Sequence, residues 1–400
     1  MQIVNKREDW SFFGGSDGTN EISKEAQTLF VRAIQNISSP AVASQLADKA
    51  LEKAIAAAER LATRHAEELF ATRVKNHEFG RGCMGCRIDE SQIGNPVYIE
   101  GLTRLFGSVS VPVSWAKVEP VKGEYDFSTV DACVETLAGK RLAIGAGPLL
   151  FFSKRYLPDW LVAKGARFEK IREAAYQFVF KVVSRYAGRI NAWCPIGGLN
   201  VFNHFGFRFE EIVEMTRAAS MAVKQGSPRS WRIIEVCNPW GEYYGSMANS
   251  IPPLVYMDMV VQSGINFDAF GLQMRFGRNR SGMHVRDMMQ ISAILDYLAP
   301  IAKPLHLSRV AVPSEDVGGN QDGEVAGIWR GKWSESAQSL WLEQCYKIAL
   351  SKPFVEAVTY SHLSDVEDST IARSGLLTAQ LKPKKAYQRL RKLRKTIFAR

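Results

Sequence analysis

The feature that most limits this chain is the regular alternation of short β-type runs with helical stretches from about Gly82 onwards. Eight runs are expected as strands: Cys83 to Ile88, Ser108 to Val113, Leu142 to Gly147, Ile190 to Ile196, Ile233 to Cys237, Ala269 to Gln273, Leu305 to Val310 and Val355 to Tyr360. Between them, residues 128–138, 169–186, 209–223, 252–262, 287–298, 336–350 and 383–397 show apolar residues at helical spacing. Parallel neighbours need a crossover, and a helix supplies it while covering the sheet. Eight such units close into a (β/α)8 TIM barrel, whose active groups sit just after the strands, in the βα loops. The 400 residues accommodate such a barrel with an appended segment; two or three independent domains are allowed but not required.

The appended segment is expected at residues 1–80, with the barrel over 81–400. Glu21 to Gln35 reads as one helix, and Ser39-Pro40 as the cap and first turn of a longer stretch through Arg73, one helix or two. The opening Gly14-Gly-Ser-Asp-Gly18 reads as a loop. Leu46, Leu51, Ile55, Leu61 and Leu69 give the longer stretch an apolar stripe that needs a partner, either the barrel or another copy of the chain. A homo-oligomer built through these helices is one outcome.

The net charge of +10 suggests an acidic partner until it is located. Nine Lys/Arg and no Asp/Glu fall between Lys382 and Arg400, leaving 42 against 41, a net of +1, for the rest. Leu390, Leu393 and Ile397 recur there at helical spacing, so the tail is expected as a final helix with a solvated cationic face, and no nucleic-acid partner is expected. The start, MQIVNKREDW, has no apolar export signal, and no apolar run reaches 18 residues. A cytoplasmic protein without a membrane contact is the expectation. Six scattered cysteines fit a reducing compartment, and the Cys83/Cys86 pair is expected as buried thiols rather than half of a zinc site.

Several loops that follow strands carry chemistry-bearing groups. Asn238-Pro-Trp240-Gly-Glu242-Tyr243-Tyr244 combines a carboxylate with aromatic faces, the mixture a sugar site uses, although a rigid loop cover reads equally well. Glu315 and Asp316 stand beside the pair Gly318-Gly319, and an ordinary solvated loop accounts for them. Asn203 and His204 follow the fourth strand, with no second His or Cys at metal-ligand spacing. Gly145-Ala-Gly147-Pro-Leu-Leu150 lacks the third glycine of a dinucleotide loop. Neither a metal nor another cofactor is expected.

Trp115-Ala-Lys-Val-Glu119-Pro-Val-Lys-Gly123-Glu-Tyr125-Asp-Phe127 resembles the W-x-x-x-E-P-x-x-G-x-Y-x-F segment of glycoside hydrolase family 10, the retaining xylanases. Leu157-Pro-Asp-Trp160, Ala192-Trp193, Gly271-Leu-Gln273 and Gly375-Leu-Leu377, followed by Pro383-Lys-Lys-Ala-Tyr387, resemble later motifs of that family in the same order. The resemblance implies the barrel and a saccharide cleft. It also implies two glutamates roughly 5 to 5.5 Å apart, an acid/base and a nucleophile. At the corresponding positions this chain carries Gly198 and Arg309. The family's sugar-binding shell is altered as well: Val111, Ser114, Pro148, Phe152 and Arg275 replace its polar and aromatic groups, and Gln273 is retained.

The leading expectation is thus a catalytically altered family 10-like barrel that binds a saccharide or acidic sugar, through residues including Gln273, Arg275, Arg309, Trp240, Tyr243, Asn203 and His204, without cleaving xylan. The alternatives are a glycoside hydrolase that uses Glu242 and Glu315 as displaced carboxylates, and a structural or interaction protein. Arg275 and Arg309 in a partly desolvated mouth need anions. Glu242 or Asp316 is expected as the internal partner, or an acidic ligand supplies the charge.

Overall fold

The apolar runs become eight parallel strands, β1 Met84–Arg87, β2 Ser108–Val111, β3 Ala143–Ala146, β4 Ala192–Trp193, β5 Trp231–Cys237, β6 Ala269–Arg275, β7 Leu305–Ala311 and β8 Val355–Tyr360. They close in sequence order, with β8 pairing back onto β1, so no strand edge is left open. This computed structural model describes residues 18–162, 165, 167–316, 327–367 and 369–399. Most of the loop expected at Gly14 to Gly18, and the pair Gly318-Gly319, lie outside the described residues.

The covering helices follow from periodicity. In Phe168–Arg185 the buried residues are Ile171, Ala175, Phe178, Val179, Val182 and Val183, one face of a 3.6-residue period. In the final helix, Lys385–Ile397, Ala386, Tyr387, Leu390, Leu393 and Ile397 are buried. Of its cations, Arg389 pairs with Glu343 at 2.6 Å and Arg394 donates to the Leu105 carbonyl at 2.6 Å. Pro96–Leu105, between β1 and β2, is a helix that periodicity did not single out; Asn95 caps it by accepting from Val97 N, and Pro96 opens it.

By its internal contacts the chain divides into two units. One comprises residues 18–78 with Arg286–Tyr297 and Gln344–Lys352; the other holds the remaining residues, including all eight strands. In the first, Thr19–Gln35 precedes one continuous helix, Pro40–Lys75. The expected stripe is rotated. Ala50, Ala57, Leu61, Ala62, Ala66 and Phe70 are buried, whereas Leu51 and Ile55 are 61% and 41% exposed. Small alanines allow close approach, so packing follows a stripe of alanines that keeps Leu61 and leaves Leu51 and Ile55 outside. The Glu59 carboxylate accepts from Met288 N, Lys347 pairs with Glu67, and Arg73 donates to the carbonyls of Leu350 and Lys352. Ser39 is the N-cap and Pro40 the first residue of this helix, as the sequence suggested, although Ser39 makes no side-chain cap bond.

No helix among the described residues is long and apolar enough to cross a membrane.

Candidate ligand-binding site at the barrel mouth

The floor of the mouth is built from small residues. A Cβ on Gly85 would lie 2.6 Å from Ser108 Oγ and 3.0 Å from Thr359 Oγ1, and one on Gly271 would lie 3.1 to 3.2 Å from Ser308 and Ile233. These positions therefore share the crowded inner face. Side chains alternate along a strand, so residues two further on, Arg87, Glu235 and Gln273, project to the same side one layer nearer the carboxyl ends. Arg275 follows by another step of two.

A register shift supplies the remaining groups. Between β6 and β7 the pairing runs Leu272 with Leu307 and then Gln273 with Arg309, so Ser308 is an extra residue. Such irregularities re-aim side chains near functional sites. Here two consecutive residues reach the same carboxylate. Ser308 Oγ donates to Glu235 Oε2 at 2.7 Å, and Arg309 Nε lies 3.9 Å from that oxygen. Gln273 Nε2 donates to the other oxygen, Oε1, at 2.5 Å. Glu235 is buried, and Gly197 makes room for it, since a Cβ there would stand 2.9 Å from Oε1. The Gln273 amide oxygen, also buried, has no hydrogen-bond partner among the described residues.

Arginines surround this centre. Arg87 donates from Nη1 to the Gly147 carbonyl at 2.8 Å, and Arg275 from Nη1 to Thr370 Oγ1 at 3.0 Å. Burial, followed by repulsion from Arg309, lowers both guanidinium pKa values, that of Arg87 to about 9. His362, just after β8, is pushed down to about 4 by burial and then by Arg87, Arg309 and Arg275, so it is neutral at pH 7. Burial raises the Cys237 thiol to about 12 and Cys194 well above its ordinary value, so neither is an activated nucleophile. Among the described residues no group of three or more His, Cys, Asp or Glu is placed to hold a metal ion.

One wall is aromatic. Gly198 has φ +64°, and a Cβ there would lie 2.8 Å from Cys237 Sγ, 2.9 Å from Phe151 and 3.1 Å from Phe202. The two phenyl rings stand 4.9 Å apart. Tyr243 packs in the same cluster, fully buried; its hydroxyl donates to the Ile251 carbonyl at 2.6 Å and accepts from Asn200 Nδ2 at 2.6 Å. It braces the loop after β5 and offers no ring face to a ligand.

The other loop residues are placed as follows. Trp240 is half-buried, edge-on to Phe276 at 5.5 Å. Asn203 ties its own turn together through Phe207 N and O, and the His204 ring is exposed beside Phe205. Glu242 accepts from Gly282 N at 2.8 Å and lies 3.6 Å from His284, while Glu315 pairs with Arg373 at 3.0 Å and Asp316 with Lys332 at 3.7 Å. The carboxylate paired with Arg309 is thus Glu235, and the expectation of Glu242 or Asp316 is corrected. Sequence reasoning missed Glu235, Arg87 and His362. A lone Glu inside Ile233-Ile-Glu-Val-Cys237 was the available signal, because a parallel barrel strand is buried on both faces and a charge there must have a partner.

This barrel can be set beside known ones. The model of glycosyl hydrolase family 10 matches residues 74–196. That span runs through β4. Endo-1,4-beta-xylanase C of Paenibacillus barcinonensis is 21% identical over 267 residues, which is 60% of this chain and 23% of that protein, so the chain spans about a quarter of the curated relative it matches. Among solved structures, a family 10 endoxylanase from a sugarcane soil metagenome superposes with a TM-score of 0.62 at 17% identity, covering 80% of this chain and 99% of that one. Xylanase 10B of Thermotoga petrophila RKU-1, solved with xylobiose, gives a TM-score of 0.58 at 17% identity over 82% and 97% of the two chains. These structures share the fold: the protein is a family 10-like (β/α)8 barrel similar to xylanases.

Proposed function

We propose that this chain belongs to glycoside hydrolase family 10 and that its barrel mouth binds a saccharide without cleaving xylan. One observation carries the reading. Among the described residues, the only carboxylate bonded to or paired with Gln273, Ser308 and Arg309 is Glu235, whereas a retaining glycosidase needs two, roughly 5 to 5.5 Å apart. The positions that resemble the family's acid/base and nucleophile hold a wedged glycine, Gly198, and a cation, Arg309. An arginine can neither attack an anomeric carbon nor act as a base in a protein. What the mouth retains is recognition chemistry: an orphan amide oxygen on Gln273, a carboxylate on Glu235, and aromatic edges from Phe151 and Phe202.

Reducing-sugar release from xylan and from aryl xylosides tests this. The expected result is no release above background, with calorimetric binding of a saccharide. Turnover that disappears in Glu242→Gln or Glu315→Gln would overturn the reading in favour of displaced carboxylates.

The amino-terminal helices favour a second, separable role. Phe30, Ile34, Ile37 and Leu51 are between 54% and 76% exposed, and contiguous exposed apolar side chains mark protein contacts. A homo-oligomer formed through this segment accounts for it, and light scattering of the full chain tests that role.

A further inference from the structure

Three guanidinium groups share the barrel mouth with one carboxylate, and one of them, Arg309, is paired with it. Arg87 ends β1, Arg275 ends β6 and Arg309 lies in β7, and Glu235 attracts all three. The other ionisable groups that act on them are Glu90 and Tyr156 at Arg87, and Cys237 and Tyr156 at Arg275. His362 is acted on by all three arginines and by Asp89. Glu90 is engaged by Lys117. Positive charge therefore exceeds negative charge within the mouth.

The donors are also under-used. A guanidinium offers five N–H groups in a rigid fork. Among the described residues, Arg87 spends one on the Gly147 carbonyl and Arg275 one on Thr370, while Arg309, with 17% of its side chain exposed, makes the 3.9 Å ion pair alone. Crowded, partly desolvated cations repel one another until an anion reaches them, and guanidinium forks match the paired oxygens of a carboxylate or phosphate. Beside them, the buried Gln273 oxygen lacks a donor such as a sugar hydroxyl would bring.

We propose that this mouth selects a sugar carrying an oxyanion, with Arg87, Arg275 and Arg309 receiving the charged group and Gln273 and Glu235 the adjacent hydroxyls. The proposal rests on the saccharide reading above and narrows it. A uronic acid and a sugar phosphate present the same oxyanion chemistry.

Calorimetric titration of the full chain with four probes tests it: a xylo-oligosaccharide bearing glucuronic acid, the same oligosaccharide without it, a pentose phosphate, and inorganic phosphate. At least one acidic sugar is expected to bind about tenfold or more tighter than the neutral one, and which of them wins identifies the source of the oxyanion. Arg275→Gln, and separately Arg87→Gln, are expected to bring the ratio of acidic to neutral sugar affinity down towards one, whatever either does to neutral-sugar affinity itself. Circular dichroism reports whether each variant is folded, so that a misfolded one is set aside in favour of the other. Equal binding of acidic and neutral oligosaccharides would overturn the oxyanion proposal and leave the saccharide reading standing. Inorganic phosphate binding as tightly as either acidic sugar would overturn the saccharide reading, and no binding by any probe would overturn both.

Discussion

Replacing Gly198 with alanine probes how fully the aromatic wall fills the position that we propose corresponds to the family's acid/base. Gly198 sits at φ +64°, where an L side chain costs about 1–2 kcal/mol from backbone sterics. The added methyl would also stand 2.8 Å from Cys237 Sγ and 2.9 Å from Phe151, inside a cluster that includes the fully buried Tyr243, and overpacking of this kind costs about 1–3 kcal/mol. Gly198→Ala is therefore expected to lose about 2–5 kcal/mol of stability. Gly188 is the matched control: it has φ +78° but no heavy atom within 4 Å of its hypothetical Cβ, so Gly188→Ala carries only the backbone cost. Urea denaturation of both variants, with m-values compared to confirm the same transition, isolates the packing part as their difference. Equal losses would refute the argument that the aromatic wall occupies this position. A glutamate adds further atoms to the same space, so Gly198→Glu is expected to be at least as destabilised and to gain no xylanase activity.

Glu235→Leu removes the carboxylate that, among the described residues, pairs with Arg309 and is expected to cost up to about 3 kcal/mol, because a partly buried cation loses its partner; a loss under about 1 kcal/mol in chemical denaturation would show the pair to be marginal. His362, depressed to about 4 from an ordinary value near 6.5, binds fewer protons folded than unfolded between those values. It therefore contributes stability above pH 6.5 that is lost as pH falls towards 4, up to about 3 kcal/mol, and His362→Asn should flatten that part of the stability profile against pH. Deleting residues 1–79 removes the partners of Met288, Lys347, Leu350 and Lys352, so a lower melting temperature or altered size by light scattering is expected, and no change in either would show the segment dispensable.

Much of the barrel was legible because its signals are local. Short β-type runs and 3.6-residue stripes located all eight strands and the final helix, and β5, β7 and β8 begin and end within a few residues of expectation. The candidate site was legible only in part. Gln273, Arg275 and Arg309 were found through short motifs at strand ends, whereas Arg87 and Glu235 sat in runs that looked like ordinary barrel strands.

The sequence by itself determined the order of the eight strands, most of the helices between them and the amphipathic tail, since each depends on side chains within a few turns or strand steps of one another. It also determined that residues 198 and 309 carry no carboxylate. Tertiary structure alone decided that Arg87, Glu235, Arg309 and His362, contributed by β1, β5, β7 and the residues just beyond β8, act on one another, because that requires the sheet to close. It likewise decided that Ser308 is an extra residue in its ladder, so that two adjacent side chains meet Glu235. In the amino-terminal helix it placed the alanines inward and Leu51 outward. Each of these outcomes turns on which surface an element meets, and a local pattern of apolar residues does not carry that information.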